Sequence, residues 1–324
     1  MRRVNATCKK SLPAPGSGAG FFALNGLGFC RKTRYPYRKI GEKTPYFAGN
    51  RVLIGAHMSI SGGLHKALLR GEKMGCTTIQ LFLRPNLAWK AREFTPQDAR
   101  KFAITQQQTG IAPVVAHNCY LVNLASSDSA TLARSLEATV GELERAEVLG
   151  IPYLVMHPGA HLGTGERRGL RKIARGIDRA LRHSGTRNVR VLLETTAGQG
   201  TVLGRRFDHL AEIISISAFA EKLGVCYDTC HTFAAGYDIR TASAYAATMR
   251  QFDRVIGLDR LLCFHFNDAL FDLGSRRDRH AHIGKGKLGE APFAFILKDK
   301  RFEQIPKILE TPKGTYRRRP WDKI

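Results

Sequence analysis

Six side chains able to bind metal ions recur along the chain, each at or near the end of a short apolar run. Three are imidazoles and three are carboxylates: His117, His157, Glu194, Asp228, His265 and Glu310. Imidazole suits zinc, manganese or iron, and a carboxylate can bridge two ions. A buried apolar strand has no structural need to end repeatedly in such residues. We therefore predict that the six converge on one metal site.

Three further candidate ligands lie beyond two of these runs. His231 follows Asp228 by three residues, and Asp278 and His280 form a close pair farther along the chain. All nine together are enough for three ions at about three protein ligands each, which leaves coordination positions open for water and substrate. We predict a centre of three metal ions, for which zinc, manganese and iron are all suitable.

Eight apolar runs predict the strands that carry these ligands. The runs are RVLIGAH ending at His57, TTIQLFL at Leu83, IAPVVAH at His117, PYLVMH at His157, VRVLLE at Glu194, GVCYD at Asp228, LLCFHF around His265, and KILE at Glu310. Amphipathic segments separate the runs, such as residues 129–150, where we expect Gly150 to end a helix. The six strand-end ligands follow one another at intervals of 34 to 45 residues, which fits successive units of a (β/α)8 TIM barrel.

The predicted fold is therefore α/β, a single-domain barrel over residues 51–324. All carboxyl ends of barrel strands face one mouth, where active sites are built. An open, doubly wound sheet is the alternative architecture. It would bind ligands at a switch point, whereas here ligands follow nearly every strand.

The net charge indicates the class of binding partner, and the cysteines indicate the redox state of the cellular compartment. The chain has 51 Lys and Arg against 27 Asp and Glu, a net charge of +24, which predicts attraction to polyanions. No apolar run reaches the roughly 20 residues of a membrane span, so nucleic acid is the expected partner and a membrane is not. A generally basic, solvated surface is the alternative explanation. The seven irregularly spaced cysteines indicate a reducing compartment.

The two ends of the chain differ from the middle. Residues 1–50 are basic and rich in Gly and Pro, and we expect them to be disordered. They could be a DNA-binding arm, an organellar transit peptide or the product of an over-long start in the gene. Only 14 residues follow Glu310, so we expect an incomplete final helix and reduced stability.

At the level of longer motifs the sequence resembles the endonuclease IV family of apurinic/apyrimidinic endonucleases, from about residue 51 to the C-terminus. The motifs occur in the family's order: GAHMSISGG (55–63), HNCYLVNL (117–124), HPGAHLGTG (157–165), ETTAGQGTVLG (194–204), GVCYDTCHTFAAGYDIRT (224–241), FHFNDALFDLGSRRDRH (264–280) and ILETP (308–312).

The resemblance implies three sets of zinc ligands. They are His117, His157 and a shared Glu194 for the first ion; Glu194, Asp228, His265 and Glu310 for the second; and His231, Asp278 and His280 for the third. Glu194 would bridge two ions and position a metal-bound hydroxide, which can form near neutral pH.

The resemblance also implies the reaction. The family cuts double-stranded DNA on the 5′ side of an abasic site, leaving a 3′-hydroxyl and a 5′ deoxyribose phosphate, and it trims blocked 3′ ends. An abasic sugar is easily turned out of the helix because it has no base to stack. We expect a monomer, located in the cytoplasm and nucleoid of a bacterium or in the nucleus or mitochondrion of a eukaryote.

Three residues are expected to contact DNA on the basis of the same resemblance. Tyr120 and Leu121 lie where the family inserts side chains into the base stack, although they could instead cap the barrel core. Leu87 occupies the position at which the family usually has an arginine wedge. Leucine can fill the gap in the duplex but provides no cation to stack.

Two other functions are compatible with parts of this pattern. A sugar isomerase or epimerase on the same barrel would also bind divalent metals, but it would need neither the pair Asp278 and His280 nor so basic a surface. A non-catalytic DNA-binding protein would not need open metal positions.

Overall fold

The computed structural model describes residues 52–89, 92–313, 315–316 and 319–320. The predicted N-terminal extension, residues 1–50, lies outside the described residues. None of the described helices is long and apolar enough to cross a membrane.

Eight parallel strands close into a barrel in which each strand pairs with its neighbours along the chain and the last strand pairs with the first. The strands are β1 (Ile54–His57), β2 (Thr78–Phe82), β3 (Val114–His117), β4 (Tyr153–Met156), β5 (Arg190–Glu194), β6 (Leu223–Asp228), β7 (Leu261–Phe266) and β8 (Lys307–Leu309). The predicted barrel is confirmed, and the open sheet is excluded because the first and last strands are hydrogen-bonded.

Helices surround the barrel. They are α1 (Leu64–Lys73), α2 (Pro96–Thr109), α3 (Ser129–Leu149), α4 (Glu166–Ser184), α5 (Phe207–Ile216), α6 (Thr229–Ala234), α7 (Ala242–Val255) and α8 (Ala291–Lys298). Both α6 and α7 follow β6, and α8 follows β7.

The described residues after β8 contain no helix. They include only a two-stranded ribbon, Thr315–Tyr316 with Arg319–Pro320. The expectation of an incomplete final helix concerns in part residues 314, 317–318 and 321–324, which lie outside the described residues.

Helix α3 shows how local sequence sets the boundaries of an element. The side chain of Asp128 accepts a hydrogen bond from the backbone N–H of Thr131 at 2.7 Å and so caps the first turn. Gly150 ends the helix in the left-handed conformation, with φ 67°, which costs glycine little because it has no Cβ. The predicted helix end at Gly150 is confirmed.

The barrel interior supports the mouth with a layer of apolar side chains. Six buried residues from six strands form one cluster: Val115, Val155, Leu192, Cys226, Cys263 and Ile308. Each precedes one of the six strand-end candidate ligands by two residues. Because side chains of a strand alternate between its two faces, this spacing places each candidate ligand on the inner face, above the apolar layer.

Candidate metal centre

Glu194, at the end of β5, lies at the middle of the mouth and is fully buried. Its Oε2 is 3.0 Å from His117 Nε2 and 3.1 Å from His157 Nε2. Its Oε1 is 3.0 Å from His265 Nδ1 and 3.2 Å from His231 Nδ1. One carboxylate therefore contacts four imidazoles, which lie at or after the ends of four different strands, with His231 in the first turn of α6.

The structure brings all nine candidate ligands together in three groups whose ligand atoms lie within 4.8 Å of one another. The groups are His117, His157 and Glu194; Glu194, Asp228, His265 and Glu310; and His231, Asp278 and His280. They contain the same residues as the three sets implied by the resemblance, with Glu194 shared. The assignment of an ion to each group stays a prediction.

The third group has the spacing of a coordination shell. His231 Nε2 lies 3.1 Å from Asp278 Oδ1 and 3.4 Å from His280 Nε2, and His280 Nε2 lies 3.6 Å from Asp278 Oδ1. Two ligands bound tetrahedrally at roughly 2.1 Å from one zinc ion are about 3.4 Å apart. The donor atoms therefore have separations that one tetrahedral ion requires.

Backbone carbonyls fix which nitrogen of these imidazoles carries a proton. His231 Nδ1 donates to the carbonyl of Thr195 at 2.9 Å, and His280 Nδ1 donates to the carbonyl of Glu310 at 3.3 Å. When both rings are neutral, as metal binding requires, both Nε2 atoms carry lone pairs that face each other. A cation between them would remove this repulsion, so the residues fit a metal ion.

We call the candidate ligands and the side chains in contact with them at the mouth the basin. The charges of the basin also fit bound cations. Burial opposes ionisation of Glu194, but His157 and His265 hold its pKa well below the usual range. Burial likewise opposes a charge on His265, but Glu310 and Glu194 raise the pKa of this imidazole to about 10. Ionised carboxylates here need positive charge, which either protons on histidine or bound cations can supply.

Sequence reasoning missed two residues of the basin, Gln80 in β2 and His57 at the end of β1. Gln80 is fully buried. Its amide nitrogen donates to Glu310 Oε1 at 2.6 Å and to His57 Nδ1 at 2.9 Å, and its carbonyl accepts from His265 Nε2 at 2.7 Å. Gln80 therefore orients two candidate ligands. The available signal was a single amide among the apolar side chains Ile79, Leu81 and Phe82 of the same strand.

The predicted DNA-contacting residues lie on the loops that follow β2 and β3, which we call the rim of the mouth. Tyr120 follows β3, is 51% exposed, and has its ring 5.2 Å from the Phe82 ring and 5.5 Å from the His117 ring. Leu121 is partly buried. Leu87, on the loop after β2, is 72% exposed. The side chains of Tyr120 and Leu87 thus project from the protein, while Tyr120 also packs against the basin.

A buried ion pair supports both rim loops. Arg84 Nε lies 2.7 Å from Glu142 Oε1, and both side chains are almost fully buried. Arg84 also donates to the carbonyl of Trp89 at 2.9 Å. Glu142 accepts from the backbone N–H of Cys119 at 3.4 Å, one residue before Tyr120. The pair therefore connects α3 with the loop that carries Leu87 and with the loop that carries Tyr120.

The two loops also contact each other directly. The backbone N–H of Tyr120 donates to the carbonyl of Asn86 at 3.3 Å, and Cys119 Sγ lies 3.0 Å from the same oxygen. Burial raises the pKa of Glu142 to about 7, although Arg84 acts in the opposite direction. The rim thus depends on the buried pair of Arg84 and Glu142, a feature that sequence reasoning did not identify.

Comparison with known proteins gives a consistent set of relatives. The family model described as a xylose isomerase-like TIM barrel matches residues 69–323. The probable endonuclease 4 of Chloroflexus aurantiacus is 51% identical over 260 residues, which cover 80% of this chain and 91% of that protein. The probable endonuclease 4 of Geobacter sulfurreducens is 50% identical over 261 residues, covering 81% and 88%.

Solved structures agree with the sequence relatives. Endonuclease IV from Thermus thermophilus matches with a TM-score of 0.73 and 35% identity, covering 81% of this chain and 93% of that one. A D-tagatose 3-epimerase-like protein matches with a TM-score of 0.59 but only 17% identity, covering 83% and 92%, and that likeness shows the fold alone. From its sequence relatives and its barrel, the chain belongs to the endonuclease IV family of apurinic/apyrimidinic endonucleases.

Proposed function

We propose that this protein repairs double-stranded DNA by hydrolysing the phosphodiester bond on the 5′ side of an abasic site, using three divalent cations, with zinc the first candidate. The products would be a 3′-hydroxyl and a 5′ deoxyribose phosphate, and the same site would trim blocked 3′ ends. The observation that carries the proposal is the arrangement of nine candidate ligands in three groups that share Glu194.

The first cation would be held by His117, His157 and Glu194, the second by Glu194, Asp228, His265 and Glu310, and the third by His231, Asp278 and His280. When bound, such cations supply Lewis-acid activation of the scissile phosphate and of the attacking water. Glu194 keeps its position because four imidazoles surround its two oxygens.

Tyr120 is suited to contact the DNA beside this centre. Partial burial of the phenol, with Glu310 and Glu194 nearby, raises its pKa, so the hydroxyl stays uncharged and able to donate a hydrogen bond to a phosphate. Its half-exposed ring offers a flat apolar face against which DNA bases could stack. Together with Leu121 and Leu87, it would fill the space left by the abasic sugar.

The decisive assay uses a duplex oligonucleotide with one tetrahydrofuran analogue of an abasic site, and the same duplex without the lesion as control. We expect cleavage only of the damaged strand, with loss of activity after chelation and recovery when zinc is restored. Extension of the product by a DNA polymerase would report the 3′-hydroxyl. Cleavage unaffected by metal removal, or absent with the metals fully loaded, would overturn the proposal.

Two further measurements resolve the finer parts of the proposal. Native mass spectrometry with elemental analysis would give the number and identity of the bound ions, which we expect to be three zinc ions. A duplex ending in a 3′-phosphate would test the trimming of 3′ ends. Retention of the 3′-phosphate under conditions that cleave the abasic duplex would remove that activity from the proposal.

A further inference from the structure

The outer face of α4 carries a row of arginines that the metal centre does not explain. Arg168, Arg171, Arg175, Arg179 and Arg182 are all exposed, and their spacing of three and four residues places them along one face of the helix. At about 1.5 Å per residue, this arginine row is roughly 21 Å long. Helix α4 contains seven Lys and Arg but only two acidic residues.

The acidic residues of α4 do not neutralise the row. Glu166 lies 3.2 Å from both Arg205 and Arg206, which belong to the loop before α5. Asp178 accepts hydrogen bonds from the Ser217 hydroxyl and from the backbone N–H of Ala218. Within the part of the chain that the structure describes, no carboxylate forms an ion pair with the row.

Most of this arrangement works against the stability of the helix itself. Arg182 is the exception, because it lies in the last turn, where the dipole favours positive charge, and 5.7 Å from the centre of the Phe219 ring. Like charges three or four residues apart on a helix repel one another, and the row contains four such pairs in succession. Arg167 and Arg168 also lie in the first turn of α4, where the helix dipole disfavours positive charge. An energetically unfavourable arrangement of this kind is expected where a ligand compensates for it.

The high density of positive charge is found on α4 and not on the two helices that pack against it. Helices α3 and α5 pack on either side of α4, and each contains more acidic than basic residues. The row is therefore a feature of α4 and not part of a uniformly basic surface.

The chemistry of the row indicates which partner it fits. The apolar residues of α4, including Leu170, Ile173 and Ile177, are buried against the barrel. The exposed face thus lacks the apolar groups that enter a membrane interface or form the core of a protein interface. Binding a regular line of phosphates requires only cationic hydrogen-bond donors. Duplex DNA carries one negative charge per roughly 1.7 Å of its axis and therefore fits the row.

The position of α4 separates most of the row, from Arg171 onward, from the DNA at the metal centre. The helix begins at Glu166, soon after His157, and its first turns pack on the ribbon formed by Gly159–Ala160 and Val202–Leu203. From the mouth it runs along the outer wall toward the opposite end of the barrel, as helices of this fold do. We propose that the arginine row binds the phosphate backbone of a second duplex segment, away from the lesion held at the mouth. The proposal rests on the proposed function only in taking duplex DNA as the partner.

The test compares two double variants of the full chain. R171Q/R175Q removes two charges of the row. R250Q/R254Q removes two exposed charges with the same spacing on α7 and serves as the matched control. Binding of an undamaged labelled duplex is measured at several salt concentrations. We expect the slope of log affinity against log salt to fall in magnitude by about 1 to 2 for R171Q/R175Q, and by clearly less for R250Q/R254Q. Equal changes in the two variants would overturn the proposal.

A second measurement separates the row from the mouth. The mouth is first saturated with a short duplex that contains the abasic analogue, in the presence of a chelator so that it is not cut, and a labelled undamaged duplex is then added. We expect a ternary complex with the parent protein and with R250Q/R254Q, weakened several-fold in R171Q/R175Q. Absence of a ternary complex with the parent would also overturn the proposal. Binding of the abasic duplex alone to the chelated protein is measured first, so a failure of the proposed site at the mouth is seen there and in the abasic-site assay. The salt dependence tests the row without any lesion.

Discussion

The basin that gathers the candidate ligands and the rim that would touch DNA differ in how they are built. The basin is built from residues at or near the ends of barrel strands. Glu194, Asp228 and His265 are completely buried, and an apolar layer lies directly beneath them. The rim consists of loops, and its outermost side chains, Tyr120 and Leu87, are mostly exposed. The basin is thus fixed by the barrel itself, whereas the rim needs separate support from the ion pair of Arg84 and Glu142.

This difference predicts that changes in the basin affect metal binding and chemistry, while changes on the rim affect DNA binding alone. The largest effect is expected for Glu194→Gln, because a neutral amide cannot balance the charge of the cations that the surrounding groups would hold. We expect cleavage of the abasic duplex to fall by about 1,000-fold or more, with loss of bound metal by elemental analysis. Glu137→Gln, an exposed residue of α3, is the control. Full activity of Glu194→Gln would contradict the proposed role of the basin.

The next largest effect is expected for Gln80→Leu. Leucine nearly preserves the side-chain volume but removes the hydrogen bonds to His265 and Glu310. Loss of such support for metal ligands typically lowers metal affinity or activity by about 10- to 100-fold. Metal affinity measured by competition with a chromogenic chelator would show this. Thr78→Val, at another buried polar position of the same strand, should leave metal affinity unchanged, and an equal loss in both variants would mean that strand packing alone is responsible.

Tyr120→Ala tests the rim at the point where it meets the basin. We expect KM for the abasic duplex to rise by about tenfold, as expected for loss of one stacking contact with a base. The content of bound metal should stay the same because Tyr120 is not a ligand candidate. Tyr120→Phe keeps the ring and separates stacking from the hydroxyl. Loss of metal in Tyr120→Ala would show that the basin and the rim are not independent.

The smallest effect is expected at Leu87, the most exposed of the three predicted DNA contacts. Leu87→Arg adds a cation that can stack on bases, and we expect affinity for the abasic duplex to improve by about threefold. Leu297→Arg adds the same charge at an exposed position of α8 and controls for general attraction to DNA. Equal gains in the two variants would show that stacking at position 87 contributes nothing.

The basin could be largely anticipated from sequence because its residues repeat with the barrel. His117, Glu194 and Asp228 end apolar strands at intervals that match β/α units, so their convergence follows from the fold. Gln80 was missed because one amide within a buried strand resembles an ordinary interior residue. The pairing of Arg84 with Glu142 was also missed, because residues 58 positions apart have no spacing that predicts their contact. Such contacts depend on how a loop packs on a helix, which periodicity does not encode.

The ion pair beneath the rim has a consequence for how this enzyme can be altered. The backbone of the loop after β2 is held by Arg84 at the carbonyl of Trp89 and by the contact of Asn86 with Tyr120, and the side chain of Leu87 takes no part in these contacts. Substitution at position 87 should therefore leave the loop in place. A library of variants randomised at this single position would sample different preferences for abasic sites and blocked strand ends while the proposed metal centre stays constant.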